Sequence, residues 1–409
     1  MFLDEIVNAQ KRGEARGVTS VCSAHPYVLK QTLKNFKHPL IEATCNQVNQ
    51  YGGYTGMTPK DFVAYVRGIA EDNDFPLENI ILGGDHLGPS VWQNEPAESA
   101  MQKSEVMIRD FVQAGFTKIH LDCSMRLADD PQGALDVEVI ASRAARLAKV
   151  AERALTPVPS LRYIIGTEVP IPGGATEHEE GVSVTKVEDA KQTIEVTREA
   201  FLREGLESVW EKVLGVVVQP GVEFGDDFIL PYQPEAAREL SRFIESQPMI
   251  YEAHSTDYQT QTALQGLVRD HFAILKVGPG LTFAFREAVF ALAMIEDELI
   301  PEDHRSKIIQ VLDDVMLKHP EHWKKYYRGT EDELAHKRKY SLSDRARYYW
   351  AYPEVNHSFL RMMENLSGET LPDTLLKKYA GCEGCNALDV IQMNINEVLH
   401  DYAQACHEN

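Results

Sequence analysis

Nine residues, Ile81 to Pro89, read ILGGDHLGP: an apolar run, two glycines, then Asp85 beside His86. Aspartate and histidine are the side chains suited to moving protons and to holding metal ions. A buried strand that ends on such a pair predicts a chemical site at that end. A second pair, Glu252 and His254, follows another apolar run in the segment EAHSTDYQT. If the two histidines converge, imidazoles with neighbouring carboxylates make a site for a divalent cation, zinc or manganese, without a local H-x-x-x-H spacing. The plainer alternative is that each histidine only hydrogen-bonds its own loop. With a metal present, Asp85 is a proton-transfer group at its edge, suited to aldol cleavage or epimerisation of a ketose. Lys276, in LKVGPG, admits two roles: a Schiff base with a ketose, or a fixed cation for phosphate. Gly278 and Gly280 favour the second, because their backbone N–H groups can approach an anion at a helix start.

The elements that must position these groups follow a rhythm. Short apolar runs at Val18 to Ala24, Pro39 to Ala43, Ile80 to Gly84, Lys118 to Cys123, Tyr163 to Thr167, Val213 to Val218, Met249 to Ala253 and Phe272 to Val277 predict strands. Longer amphipathic segments such as MTPKDFVAYVRGIAEDN and QPEAARELSRFIES predict helices between them. Near-continuous apolar strands separated by helices imply a parallel sheet covered on both faces. Eight such units point to an α/β fold of the (β/α)₈ TIM-barrel type over residues 1–300, although an open doubly wound sheet has the same rhythm. From residue 301 to 409 the chain becomes helical and polar-aromatic, which predicts a C-terminal helical extension packed on the barrel. Its Tyr348, Tyr349 and Trp350 read as packing residues rather than as platforms for nucleic-acid bases.

In a closed barrel the C-terminal strand ends share one mouth. Read in order, those ends carry Ser23 and His25, Glu42, Asp85 and His86, Asp122 and Ser124, Glu168, Gln219, Glu252 and His254, and Lys276. Polar groups in register at every strand end are costly to bury without purpose, so the mouth is the expected site.

Composition narrows the partners. A formal charge of −21 disfavours nucleic acid and anionic membranes. No apolar run approaches a membrane span, and the N-terminus lacks a secretory signal, so a cytoplasmic protein is expected. The six cysteines are then reduced thiols, and the C-x-x-C at Cys382 and Cys385 reads as a pair of loop thiols rather than half of a zinc knuckle.

The segments IEATCNQVNQYGGYTGMTP, ILGGDHLGP, GFTKIHLDCSM, IIGTEVPIPGG, VVQPGVEF, EAHSTDYQT and HFAILKVGPGLTFAFREA closely resemble the Z-subunit (GatZ/KbaZ) family of class II D-tagatose-1,6-bisphosphate aldolases. The resemblance runs from about Val18 into YSLSDRARYYW. It implies a barrel related to zinc-dependent class II aldolases and a non-catalytic role supporting a catalytic Y-subunit in galactitol or amino-galactose breakdown. Some members of the family are labelled tagatose-6-phosphate kinases, but the chain has no G-x-x-x-x-G-K-[ST] loop or protein-kinase signature. By resemblance to catalytic class II aldolases, Asp85 is the acid and His86 a metal ligand. Asp122-Cys123-Ser124 matches a D-[GA]-S turn, and Glu168 before Gly173-Gly174 is a second catalytic carboxylate. His254 is a later metal histidine, and Lys276 to Gly278 form the phosphate strand. Gln219, in Gln219-Pro220-Gly221, stands where catalytic aldolases carry a third metal histidine, and an amide is a weaker donor than imidazole. Ser23, Glu42, Asn46, Gln47, Asp122, Ser124, Lys276 and Gly278 complete the expected contacts to a phosphorylated ketohexose. A related reading remains open, in which the chain is itself a metal-dependent ketohexose 4-epimerase or aldolase. Either a homo-oligomer or a hetero-complex suits the acidic surface, and the resemblance favours the complex with a Y-subunit.

Overall fold

The computed structural model describes residues 1–155, 160–166, 183–368 and 370–408. Eight strands, β1 (Val18–Val21), β2 (Leu40–Thr44), β3 (Ile81–Leu87), β4 (Lys118–Asp122), β5 (Arg162–Gly166), β6 (Val213–Val217), β7 (Ile250–Ala253) and β8 (Phe272–Val277), form a closed parallel barrel. Closure is direct: β1 pairs with β8 from Val18↔Ile274 to Val21↔Val277 and with β2 through Ser20↔Leu40. That pairing rules out an open doubly wound sheet. A short antiparallel hairpin, Glu223–Phe224 with Ile229–Leu230, sits beyond β6.

Helix α1 (Phe2–Lys11) precedes the barrel. The helices α2 (Pro26–Asn35), α3 (Pro59–Glu71), α4 (Ala97–Ala114), α5 (Val137–Ala154), α6 (Val187–Arg203), the one-turn α7 (Glu207–Trp210), α8 (Pro234–Glu245), α9 (Gln261–Arg269) and α10 (Pro279–Leu299) connect or follow its strands. Their boundaries follow local chemistry. In MTPKD, Thr58 Oγ1 accepts from Asp61 N while Thr58 N donates to an Asp61 carboxylate oxygen, with Pro59 opening α3. Gly115, at φ 112°, ends α4 in a conformation that a side chain would strain.

The barrel interior is layered. Leu3 and Ile6 of α1 pack on Val18, Leu40, Ile164, Ile250 and Ile274, which closes the N-terminal end with apolar contacts. Asp4 of α1 also meets Arg162 at 2.6 Å. Above this plug the inward positions change from aliphatic to ionisable.

Residues 301–408 add α11 (Ile308–Lys318), α12 (Glu331–Tyr340), α13 (Pro353–Asn365), α14 (Asp373–Tyr379) and α15 (Ala387–Cys406). These helices share one hydrophobic core with the barrel, and α15 lies against α2, α9, α10 and β1. No helix among the described residues is long and apolar enough to cross a membrane. All six cysteines are free.

The chain returns to β1 at Glu408, whose carboxylate accepts from Thr19 N at 2.9 Å and from Thr19 Oγ1 at 2.5 Å. Burial pushes its pKa up to about 8, against the opposing pull of those hydrogen bonds. Between its unfolded value and about 8 the folded state holds the proton more tightly, so stability falls as pH rises through that window. Glu408→Gln keeps an acceptor for Thr19 and removes the titration. We expect it to be near neutral at pH 5 and stabilising by about 1–3 kcal/mol at pH 8.5, measured by denaturant unfolding. Equal effects at both pH values would show that the carboxyl titrates normally.

Candidate active site

Strand residues two apart point to the same side. On β4 the sequence Lys118-Ile-His120-Leu-Asp122 therefore sends a cation, an imidazole and a carboxylate into the barrel, and on β2 and β7 the inward positions are Glu42 and Glu252. Lys118 Nζ lies between Glu42, in short contact, and Glu252 at 2.6 Å, and all three side chains are 0% exposed. Higher up, Lys276 Nζ contacts Asp85, Glu42 Oε2 at 2.8 Å and Glu252 Oε1 at 3.8 Å. Glu42 thus joins both lysines, and the network is one unit.

Asp85 and His86 are neighbours, so a regular strand would turn one of them out of the barrel. The β3–β4 pairing instead shifts register between Gly84 and Leu87, and His86 takes a positive φ of 48°. This β-bulge turns both side chains into the mouth, at a conformational cost that non-glycine residues usually bear at functional sites. Gly83 and Gly84 precede the bulge because Cβ atoms there would collide with Glu42 and with Leu87 and Phe111.

Three imidazoles meet above the lysines, with ring centroids 4.9 to 5.4 Å apart. Each is held by a carboxylate: His86 Nδ1 is 2.8 Å from Asp122 Oδ2, His120 Nδ1 is 2.8 Å from Asp85 Oδ1, and His254 Nε2 is 2.9 Å from Glu252 Oε1. Asp122 is itself fixed by Ser124, whose N–H and hydroxyl both donate to its Oδ1. Burial works against charging His86, but Asp85 and Asp122 outweigh it and raise its pKa. Burial, with Lys276 nearby, lowers His254 to about 3. For Asp85, burial alone would raise the pKa, and His86, Lys276 and His120 drive it well below the carboxylate range instead. Burial likewise disfavours charge on Lys276, but Asp85 and the other nearby anions keep its pKa well above normal.

Donor atoms of Asp85, His120, Glu252 and His254 all lie within 4.8 Å of one another. His120 Nε2 is buried with no hydrogen-bond partner among the described residues, while its Nδ1 lies 2.8 Å from Asp85 Oδ1 and accepts from His86 N at 3.2 Å. Charge agrees: Glu42, Asp85, Asp122 and Glu252 exceed the two buried lysines by two formal negative charges, which a divalent cation would balance. The residues present therefore fit a divalent metal ion.

Several expected residues take other positions. His86 sits beside the four-donor group with its Nδ1 committed to Asp122, so it flanks the group that His120 completes. Gln219 Oε1 accepts from Gly221 N at 2.7 Å and Val222 N at 3.0 Å, closing the turn after β6 rather than joining the donors. Lys276 lines the mouth, 6% exposed, with its ammonium held by Asp85 and Glu42. Gly278 N and Gly280 N both donate to Asp257 Oδ1, at 3.0 and 2.7 Å, so a carboxylate of the protein already fills the helix-start anion site. Asn46 and Gln47 line the mouth, and Gln47 Oε1 accepts from Thr44 N. Ser23 borders an adjoining chamber and accepts from His25 N. Ser124 steadies Asp122 and does not line the mouth. Glu168 lies outside the described residues, as do Gly173 and Gly174.

The extension completes the rim. Arg286 of α10 is buried and binds Asp344 at 2.9 Å, and Thr282 donates to the same carboxylate at 2.6 Å. This anchor sets the one-turn segment Arg345–Tyr348 over the mouth, where Arg347 and Tyr348 line it and Tyr348 meets Tyr54 edge-on at 4.6 Å. Trp350 packs on Phe285 at 5.0 Å.

Comparison with known proteins agrees across sequence and structure. A curated relative from Salmonella dublin, "D-tagatose-1,6-bisphosphate aldolase subunit GatZ", is 52% identical over 383 residues, spanning 92% of this chain and 90% of that one. The corresponding subunit of Salmonella enteritidis has the same identity and spans. The crystal structure described as "a probable tagatose 6 phosphate kinase from Sinorhizobium meliloti 1021" is similar with a TM-score of 0.89 and 44% identity, over 96% of this chain and 100% of that one. The fructuronate-tagaturonate epimerase UxaE of Cohnella laeviribosi shares the fold alone, at TM-score 0.54 and 11% identity over 96% and 81% of the two chains. The family model for D-tagatose-1,6-bisphosphate aldolase subunit GatZ/KbaZ-like proteins matches residues 3–407, and the chain belongs to that family.

Proposed function

We propose that the chain is the supporting Z-type subunit of a class II D-tagatose-1,6-bisphosphate aldolase, acting in the cytoplasm with a catalytic Y-subunit that cleaves the bisphosphate to glycerone phosphate and glyceraldehyde 3-phosphate. The observation that carries this reading is the 52% identity to aldolase subunits over nine-tenths of both chains. Breakdown of galactitol or amino-galactose is the setting that this activity implies. A kinase reading, suggested by one relative's description, has no phosphate-binding loop of the G-x-x-x-x-G-K-[ST] kind to support it.

A second reading draws on one specific observation, the four-donor group at the mouth. Asp85, His120, Glu252 and His254 would hold the ion, and this mixed nitrogen and oxygen set suits zinc or manganese. A bound ion acts as a Lewis acid that polarises a ketose carbonyl or hydroxyl. Asp85 would exchange a proton with a sugar carbon once freed from Lys276, and His86 would hold that proton balance through Asp122. This would make the chain a 4-epimerase or aldolase in its own right. Asp85 is 1% exposed and ion-paired with Lys276, which favours the supporting role.

Turnover of tagatose 1,6-bisphosphate decides between them. The chain alone is expected to be silent, and to raise the rate of a catalytic Y-subunit several-fold, with Asp85→Asn retaining that stimulation. Turnover by the chain alone that disappears in Asp85→Asn would establish the enzyme reading instead.

A further inference from the structure

The mouth contains two joined chambers. The inner one, of about 80 Å³, reaches Asp85, His86 and His254, and the outer one, of about 370 Å³, is walled by Tyr27, Phe285, Trp350 and Phe359. Arg347 and Tyr348 line both. The inner chamber is far below the roughly 300 Å³ at which small-molecule pockets begin, so a ligand reaching Asp85 must extend past this shared rim.

Arg347 is the cation with capacity to spare there. Its Nη1 donates to the carbonyls of Ser343 at 2.5 Å and Asp344 at 3.0 Å, and its Nη2 donates to Tyr348 Oη at 2.8 Å. A guanidinium has five N–H donors, so two are left. Among the described residues no carboxylate pairs with it, whereas Lys118 and Lys276 are each held by carboxylates. The other anion-binding feature of the mouth, the start of α10, is filled by Asp257.

We propose that Arg347, with Tyr348, is the phosphate-binding residue of this site, seating one phosphate of a phosphorylated ketohexose at the rim while its sugar carbons point inward to Asp85. A partly exposed guanidinium held in place by backbone carbonyls is preorganised for the paired oxygens of a phosphate. The choice of sugar rests on the function proposed above; the phosphate subsite rests on Arg347 alone. It also gives the extension a task in recognition, since the barrel itself commits both of its buried lysines to carboxylates.

Isothermal titration of the full chain with D-tagatose 1,6-bisphosphate, free D-tagatose and inorganic phosphate tests this. The bisphosphate is expected to bind about ten- to a hundredfold more tightly than the free sugar, with inorganic phosphate competing only against the bisphosphate. Arg347→Gln should erase that preference while leaving free tagatose within about twofold, and Arg347→Lys should restore part of it. Equal affinity of the unmodified protein for the two sugars overturns the proposal, as does a preference that persists in Arg347→Gln. If Arg347→Gln does not fold, the unmodified protein and Arg347→Lys decide. Stimulation of a Y-subunit is scored separately: stimulation without a role for Arg347 sinks only this inference, and phosphate binding without stimulation sinks only the supporting-subunit function.

Discussion

Lys118→Met should cost about 3–5 kcal/mol of folding stability, the range for breaking a buried ion pair by removing one partner. The ammonium is 0% exposed between Glu42 and Glu252, which are equally inaccessible, so its loss leaves two carboxylates without their shared cation in a low-dielectric interior. Methionine matches the unbranched stem of lysine and avoids confusing charge loss with a cavity. The pH dependence follows in sign. Burial would raise the Glu252 pKa, but Lys118 and Lys276 depress it, so in the natural protein this group contributes stability above its unfolded pKa and loses it as pH falls. Without Lys118 that depression shrinks, so the variant's deficit should be larger at pH 7 than at pH 4.5. Adding Glu252→Gln to Lys118→Met should recover at least about 1 kcal/mol, because the two residues are in direct contact and cannot behave additively. Urea unfolding of the four proteins closes the cycle. A deficit below about 1 kcal/mol at neutral pH would mean that one of the two carboxyls is folded in its neutral form.

How far this site could be read from the chain depends on which periodicity carried the signal. The barrel was legible because buried parallel strands are nearly continuous apolar runs, and eight of them between helices leave little alternative. Closure needed coordinates, since it rests on β1 pairing with β8 across the whole length of the barrel. Asp85 was legible because it ends an apolar run, and the bulge that lets His86 share its face left only the two preceding glycines as a trace. Lys118 and His120 were missed because they lie inside a strand, where a search of strand ends does not look. The alternation K-x-H-x-D was the available sign, as three polar residues on one face of a buried strand cannot all face the apolar helix layer. The phosphate assignment was harder to read for a different reason. Lysine and glycine at a strand end have two readings, and the deciding partner, Asp257, comes from another loop. Arg347 reaches the mouth from the extension through the Arg286–Asp344 anchor, a contact between residues 58 apart that no local pattern announces.

His120→Ala should abolish tight binding of a divalent ion, weakening it by at least about 100-fold, while Gln219→Ala leaves it within about twofold. The contrast separates the donor set built by the fold from the one suggested by strand ends. His120 brings an imidazole nitrogen with no other partner among the described residues, whereas the Gln219 oxygen is already satisfied by two backbone N–H groups. Loss of a supporting partner to a metal ligand alone costs about 10- to 100-fold, and a ligand atom should cost no less. Zinc and manganese titrations read by competition with a chromogenic chelator give the affinities, and elemental analysis of the purified chain gives occupancy. Binding should also weaken as pH falls, because the imidazoles must be neutral to act as ligands. Lys276 makes the experiment sharper. Its ammonium sits against Asp85 and within 3.8 Å of Glu252, two of the four donors, so ammonium and metal compete for the same oxygens. If the unmodified protein binds neither ion, Lys276 is the resident cation of this mouth and protonation of His86 between Asp85 and Asp122 offsets one of the two residual negative charges. If it binds one and His120→Ala does not, the four donors are a working metal site, and the carboxylate partners of each imidazole are what keep it aimed.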